Sequence, residues 1–401
     1  MFKIAFVGTS GHSLTAFRHI QDNLEPRAEV VAYCKGYAEE DPSVIEMWSG
    51  ELIYPKLKMY DDLKLMLDET EPDVLVVDGR CAEHAAMSKE ALDRGISVYC
   101  DKPLALDEKE LLDLYKLAEK KSCVYWSMQS LRFELPMYTA KRLMTEENIG
   151  ILRMISLQKS YKLGKRPAWH SDKSLYGSLI PRVGIQGIDL IRYFSDAAFK
   201  SVSALTSSAH NKNYKDFQTA AMMNFELEND ILAEVRVDFY RPDNAETTSD
   251  TYVRIVGTEG TIEIKDGVVK LFNSKCQNEE QAMTAVPIQI FTAFLFTLEA
   301  KKNKNASFAF IPEHIRLNMD AGMSNRECLY MAQVSLRANR AAEEKITEKL
   351  EDIFAAEIKE REEKRLQAEA EALKAMEEDA AVLRRRKRLE AAKKKKQESK
   401  K

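Results

Sequence analysis

The chain has 401 residues, enough for two ordinary domains with buried cores, and its 45% apolar and 31% charged content is that of a globular protein. A formal net charge of −4 gives no general case for nucleic-acid binding, although the end of the chain is almost entirely charged. No apolar run approaches the ~20 residues needed to cross a bilayer, and the short run at Ile4–Val7 lacks the length and cleavage pattern of a signal peptide, so a cytoplasmic location is expected.

The six cysteines are scattered without a Cys-x-x-Cys spacing and read as reduced core thiols. No His or Cys pair has metal-ligand spacing beside a matching carboxylate. In chain order, Phe2–Val7 reads as a buried strand running into Gly8-Thr9-Ser10-Gly11-His12-Ser13, with a helix over 14–23. This is the order of a dinucleotide-binding unit, but G-x-G-x-x-G is only partly met, with Ser10 and Ser13 at its second and third glycine places. Small residues there still let backbone N–H groups approach a pyrophosphate at the helix start; a plain strand-to-helix turn is the competing reading. His12 can reach that pyrophosphate or simply face solvent.

A second strand, Ala28–Cys34, places Lys35 near the position that usually meets the adenosine ribose. A lysine welcomes a 2'-phosphate and leans the reading toward NADP over NAD, unless it is a solvent-facing residue without consequence. Residues 73–77 form another strand ending at Asp78, followed by a helix over 82–93 that Gly95 stops. His84 on that helix is either a site residue or a packing and capping one. Residues 96–100 form the next strand, and since Pro103 cannot continue a central ladder, Asp101 and Lys102 fall at its carboxyl end. Open parallel sheets bind ligands at such ends. A lysine there can polarise a carbonyl or exchange a proton, more readily when burial or a nearby cation lowers its pKa. A helix starting at Asp107 and a strand over 123–128 complete an α/β, doubly wound parallel sheet of Rossmann type over residues 1–130.

Beyond it the pattern changes to strands at 151–161, 202–206, 217–227, 231–240, 252–256, 261–264 and 268–272 with few helices between. Helices at 134–146, 182–195, 286–302 and near 340 back this sheet, giving an α+β domain over 131–345 with an open, largely antiparallel sheet. Such a face invites pairing with a second copy, so a homo-oligomer is expected. Residues 346–401 read as a charged helical or disordered tail. Its apolar stripe at Ile346, Leu350 and Ile353 fails through Glu357, Glu360 and Lys364, which suits a solvated helix laced with i,i+4 ion pairs. The basic block of Arg384–Arg388 and Lys393–Lys396 could contact nucleic acid or an anionic surface; a solvating tail is the plainer reading.

Together these motifs resemble the glucose-fructose oxidoreductase, inositol dehydrogenase and MocA family (Gfo/Idh/MocA). Val7-Gly8-Thr9-Ser10-Gly11 is similar to its nucleotide loop, and residues 73–84 to its third strand and following helix start. Asp101-Lys102-Pro103 is similar to its Glu-Lys-Pro signature, Arg254–Thr261 to its second-domain strand and turn, and residues 337–345 to its closing helix. The resemblance implies NADP or NAD held through Gly8, Thr9, Ser10, Gly11, His12, Lys35, Asp78, His84, Asp101 and Lys102. It also implies hydride exchange with a sugar, cyclitol or sugar-acid-like polyol, with Lys102 as the catalytic acid/base.

The departures concern the second-domain helix, where the family pattern G-G-x-x-x-D-x-G-x-H-x-x-D meets Gly177–Asp189 and Arg182 and Gln186 stand in the Asp and His places. Four apart, they share a helix face, but arginine stays charged and glutamine cannot carry a proton near neutral pH. In one reading the site is retuned. Arg182 then binds an anionic substrate group and lowers the pKa of Lys102, with His170 or Tyr176 as substitute proton donors. In the other, turnover is impaired and the protein is a cofactor- or sugar-binding regulator, as the altered loop Asp78-Gly79-Arg80-Cys81 suggests.

Overall fold

Short apolar segments ending in Gly, Asp or Pro build the first sheet of the computed structural model, which describes residues 1–22, 25–41, 57–212, 214–276, 279–281, 289–302, 322–364 and 366–367. Strands β1 (Phe2–Val7), β2 (Ala28–Cys34), β3 (Lys58–Tyr60), β4 (Val74–Val77), β5 (Ser97–Cys100) and β6 (Tyr125–Ser127) lie parallel in the order β3-β2-β1-β4-β5-β6. Every residue of β4, β5 and β6 is buried, as expected of strands covered on both faces. Helices α1 (Ser13–Gln21), α2 (Leu63–Thr70), α3 (His84–Asp93) and α4 (Glu108–Lys120) alternate with them. Asp107 caps α4, its Oδ1 accepting the N–H groups of Lys109 at 2.9 Å and Glu110 at 3.2 Å. Strand order reverses between β1 and β4, so the ligand crevice of this sheet lies where Val7 runs into Gly8 and Val77 into Asp78.

The second sheet has nine strands: β7 (Leu152–Tyr161), β8 (Phe199–Ser207), β9 (Ala220–Leu227), β10 (Leu232–Asp238), β11 (Ser249–Gly257), β12 (Gly260–Lys265), β13 (Val268–Asn273), β14 (Glu279–Glu280) and β15 (Thr347–Lys349). Their order is β14-β13-β12-β11-β7-β10-β9-β8-β15, and all pairs are antiparallel except β7 with β10. One face alternates to a buried side, as in β9, and is backed by α5 (Leu135–Leu143), α6 (Ile185–Ser195) and α8 (Asn325–Glu344). The sequence places the helix over 286–302 behind this sheet as well, but its described part, α7 (Ile290–Lys302), packs on the first sheet, because Phe291 and Phe294 find aromatic partners in Tyr99 of β5 and Trp126 of β6. A π-helical turn, Ile180–Gly184, leads into α6 and carries Arg182. α6 lies flush on the sheet because Gly187 has no side chain; a Cβ there would collide with Val235 of β10.

The sequence leaves residues 36–72 unassigned, and β3 and α2 fall there. It also ends the second domain at 345, whereas β15 pairs with β8 and Glu348 accepts Arg337 at 2.8 Å, so the compact unit runs on to Glu351. Residues 352–401 form a separate unit; its described part holds a helix over 355–364 with i,i+4 pairs Glu357–Arg361 and Glu360–Lys364. The basic block lies outside the described residues, and no described helix is long and apolar enough to cross a membrane.

Within the compact unit, Arg132, on the turn Leu131–Phe133, donates through Nε to Asp189 Oδ2 of α6 at 2.9 Å, and both side chains are almost fully buried. This pair fixes the helix that carries Gln186. Asp189→Ala strands the guanidinium in the core and is expected to cost about 3–5 kcal/mol of unfolding free energy, read from urea denaturation. A loss below about 1 kcal/mol would mean the pair is incidental to the core.

Candidate functional site

The crevice at the β1 and β4 ends is knitted by backbone. Gly8 has φ +76°, and a Cβ on it would collide with the Asp78 carbonyl, so only glycine fits. Ser10 N–H donates to Asp78 O at 3.2 Å and Ser13 N–H to Asp78 Oδ2 at 2.9 Å. The N–H groups of Gly11 and His12, just before α1, have no hydrogen-bond partner among the described residues and form a cradle for an anion.

Lys35 does not serve this loop: its ammonium pairs with Asp61 at 3.0 Å, beyond β3. The buried group that does is Glu40, which the sequence reading overlooked. Its Oε1 accepts Thr9 N–H at 2.7 Å and Thr9 Oγ1 at 2.9 Å, while Oε2 accepts Gly36 N–H at 2.6 Å and Tyr33 O–H at 3.0 Å. A buried acid thus stands six residues past the end of β2, brought back to the nucleotide loop by the Gly36 turn. Its one legible signal is the Glu39-Glu40 pair after that glycine.

At the end of β5, Asp101 is fully buried and gathers two cations and a histidine. His12 Nδ1 lies 3.0 Å and Lys102 Nζ 3.4 Å from its Oδ1; Arg182 Nη1 lies 3.3 Å from Oδ2, close enough to pair but not aligned as a hydrogen bond. Lys102, 1% exposed, also reaches Met128 O at 3.3 Å and His12 Nδ1 at 3.4 Å, and Arg182 donates to Lys102 O at 2.7 Å. Gly11 is pressed against the cluster; a Cβ on it would collide with Asp101 Oδ2 and stand 2.6 Å from Asp78 Oδ1. Burial alone would raise the Asp101 pKa, but His12, Lys102 and Arg182 hold it well below the usual carboxylate range. Burial lowers the Lys102 pKa against the pull of Asp101, and Arg182 adds to the lowering. Burial and the charge of Asp101 push Asp78 up to about 6.

The remaining sequence candidates fall differently. Gln186 Oε1 accepts the Tyr161 hydroxyl at 3.1 Å. His84 is a buried strap, with Nδ1 2.8 Å from Pro103 O and Nε2 3.0 Å from Gly79 O, and burial keeps its pKa low. It holds the β4 and β5 loops together and is not among the residues lining the cavity between the nucleotide loop and the second domain. His170 and Tyr176 do line the site, but neither stands ready to deliver a proton. Burial, then Arg182 and Arg166, push His170 down to about 3, and burial raises the Tyr176 phenol. A cavity of about 330 Å³ separates Ser10, Gly11 and His12 from a second-domain wall. That wall includes Tyr161, Lys165, Arg166, His170, Arg182 and Gln186, with Phe217 and Phe239 behind them.

Comparison with known proteins fits this arrangement. A family model described as an oxidoreductase family with an NAD-binding Rossmann fold matches residues 2–129, and the Gfo/Idh/MocA C-terminal domain model matches residues 137–263. The chain belongs to the Gfo/Idh/MocA family. A candidate oxidoreductase from Thermotoga maritima is 29% identical with a TM-score of 0.76, covering 86% of this chain and 99% of that one. An aldose-aldose oxidoreductase from Caulobacter crescentus, solved with glycerol, is 16% identical with a TM-score of 0.69 over 87% and 99% of the two chains; at that identity the likeness concerns the fold alone. An uncharacterized oxidoreductase of Schizosaccharomyces pombe is 28% identical over 138 residues, 34% of this chain and 38% of the relative. The chain thus spans well under half the length of the curated relatives it matches.

In this family member, Asp78 gives a pH signature. Its folded-state pKa of about 6 lies above the usual carboxylate value, so its proton favours the fold at low pH. That contribution is full below about pH 4 and lost as pH rises through about 6. Asp78→Asn, neutral throughout, is therefore expected to raise the melting temperature more at pH 8 than at pH 5. An identical shift at both values would mean Asp78 titrates normally.

Proposed function

We propose that this protein is a nicotinamide-dependent oxidoreductase acting on the hydroxyl or carbonyl carbon of a sugar, cyclitol or sugar-acid-like polyol, with Lys102 as proton donor and acceptor. The observation that carries the reading is the junction of loop and lysine: His12, at the start of α1, lies within 3.4 Å of both Asp101 and Lys102 beside the cavity. The site suits the coenzyme, since the Gly8 turn, the partnerless N–H groups of Gly11 and His12, and Glu40 supply the fit for a ribose and a pyrophosphate. When bound, the nicotinamide supplies or accepts the hydride.

The chain's own part is the proton. Burial brings the Lys102 ammonium closer to exchange, and the cluster reaches the cavity through His12, whose side chain is 49% exposed. His12 takes over the place of a relay that Arg182 and Gln186 cannot supply. Glu40 favours NAD, because a 2'-phosphate beside its carboxylate meets like charge. The open face of the second sheet, where Met154, Met222 and Leu232 are exposed, supports pairing with another copy.

One observation favours the regulatory reading. Arg182 lies at the carboxyl ends of β4 and β5, bonded to Lys102 O and 3.4 Å from Cys81 Sγ, and narrows the crevice there. Fluorescence titration with NADH and NADPH, followed by a polyol and sugar-acid turnover screen, separates the readings. NADH is expected to bind on the order of 10-fold tighter than NADPH. Lys102→Met is expected to lose at least ~100-fold in turnover with NADH affinity little changed. Binding of neither nucleotide would overturn the proposal, activity that survives Lys102→Met would overturn the lysine's role, and NADH binding without turnover would favour the regulator.

A further inference from the structure

The second-domain wall of the cavity carries positive charge that is only partly paired among the described residues. Lys165, Arg166 and Arg182 line it, His12 faces it from the nucleotide loop, and no carboxylate lines the cavity. Asp101 accounts for His12 and Arg182, at 3.0 and 3.3 Å. Arg166 and Lys165 have no carboxylate within 4.0 Å among the described residues.

Arg166 is built in rather than left to wander. Its Nε donates to Leu163 O at 2.7 Å, its Nη2 to Lys162 O at 3.1 Å, and its Cζ stands 4.7 Å from the centroid of the Phe239 ring. The backbone is clamped too: Arg166 N–H donates to the Tyr214 hydroxyl at 2.8 Å, and that hydroxyl donates back to Arg166 O at 3.2 Å. Two backbone carbonyls orient the guanidinium without cancelling its charge, and Nη1 has no partner among the described residues. Burial and the neighbouring charge of Arg182 lower its pKa, as befits a cation short of a counter-charge.

A second unpaired group points the same way. His170 is 4% exposed, lines the cavity, and its Nδ1 has no partner among the described residues. Its ring is held between Trp169 at 4.1 Å and Tyr176 at 4.8 Å, centroid to centroid. A buried polar nitrogen with no partner costs free energy that a ligand would recover. Arg182, to which the sequence assigns an anion, has its Nη1 committed to Lys102 O and Asp101 instead.

We infer that this cavity is the subsite for an acidic substrate, a small hydroxylated molecule whose carboxylate or phosphate is held by Arg166 with Lys165, while His170 hydrogen-bonds one of its oxygens. Arginine's fork suits either anion. Phe239 and Tyr176, backed by Phe217, give the carbon chain an apolar floor, and at about 330 Å³ the cavity admits a single small molecule rather than a polymer segment. The substrate role rests on the oxidoreductase reading; the anion site itself does not.

The test is calorimetric titration of the full chain, with and without saturating NADH, using D-gluconate, D-glucose 6-phosphate and neutral D-glucose. At least one anion is expected to bind no less than about 10-fold tighter than glucose, and the two anions distinguish carboxylate from phosphate. Arg166→Gln is expected to remove that preference, Arg166→Lys to keep part of it, and the exposed Lys165→Ala to weaken it several-fold, with NADH affinity unchanged in all three. Lys165→Ala and Arg166→Lys decide the matter if Arg166→Gln does not fold. Failure of both anions to bind, equal binding of glucose, or indifference to all three substitutions overturns the inference. A parallel loss of NADH affinity also overturns it, by assigning Arg166 to the coenzyme. If the oxidoreductase reading alone is wrong, NADH does not bind while Arg166-dependent anion binding persists without it.

Discussion

A carboxylate taken wholly out of water is tolerated only where other charges and donors replace its hydration, and Asp101 meets that condition with groups from three separate stretches of chain. His12 comes from the loop after β1, Lys102 is its own neighbour, and Arg182 comes from the turn before α6. One acid therefore pins the nucleotide loop, the end of β5 and the second-domain helix to a common point. Asp78 stands beside it, and two carboxylates so close cannot ionise alike. The one with the cations stays charged while the other is pushed up to about 6.

This arrangement makes sense of the substitutions in the family's helix pattern. A lone buried Lys102–Asp101 pair would hold its proton tightly; Arg182 shares the carboxylate and lowers the Lys102 pKa. The guanidinium thus acts as an internal counter-charge, while Gln186 turns to the Tyr161 hydroxyl. The histidine of the cluster comes from the loop rather than the second domain: His12 meets the cavity together with Arg182. Arg182 is engaged by Asp101 and Lys102 O, while Arg166 has no carboxylate partner among the described residues.

Much of the fold was readable because its strands are short apolar runs with distinct ends. β1 and β2 have the bounds their sequence implies, and Pro103 marks the end of β5. β3 and β15 were not readable: each is three residues long, and charged residues such as Lys58 and Glu348 give no apolar run to detect. The site was readable in part. Asp101-Lys102-Pro103 and the loop from Gly8 stand together in space as their spacing suggests. Glu40 escaped notice because its position depends on the Gly36 turn and on hydrogen bonds to Thr9, neither of which leaves a period in the sequence. The direction taken by Arg182 depends on a π-helical turn, and the placing of the Arg166 guanidinium on backbone carbonyls of its own loop. Such choices are tertiary, and no local propensity encodes them.

If Asp101 is the node that joins loop, lysine and helix, its charge rather than its shape must matter. Calorimetry of NADH with folded Asp101→Asn measures this most directly, since asparagine keeps the volume and one acceptor oxygen. Affinity should fall at least about 10-fold as His12 and Arg182 lose their common counter-charge and the loop loses its anchor. Undiminished NADH affinity in that variant would contradict the node and detach the loop from the lysine.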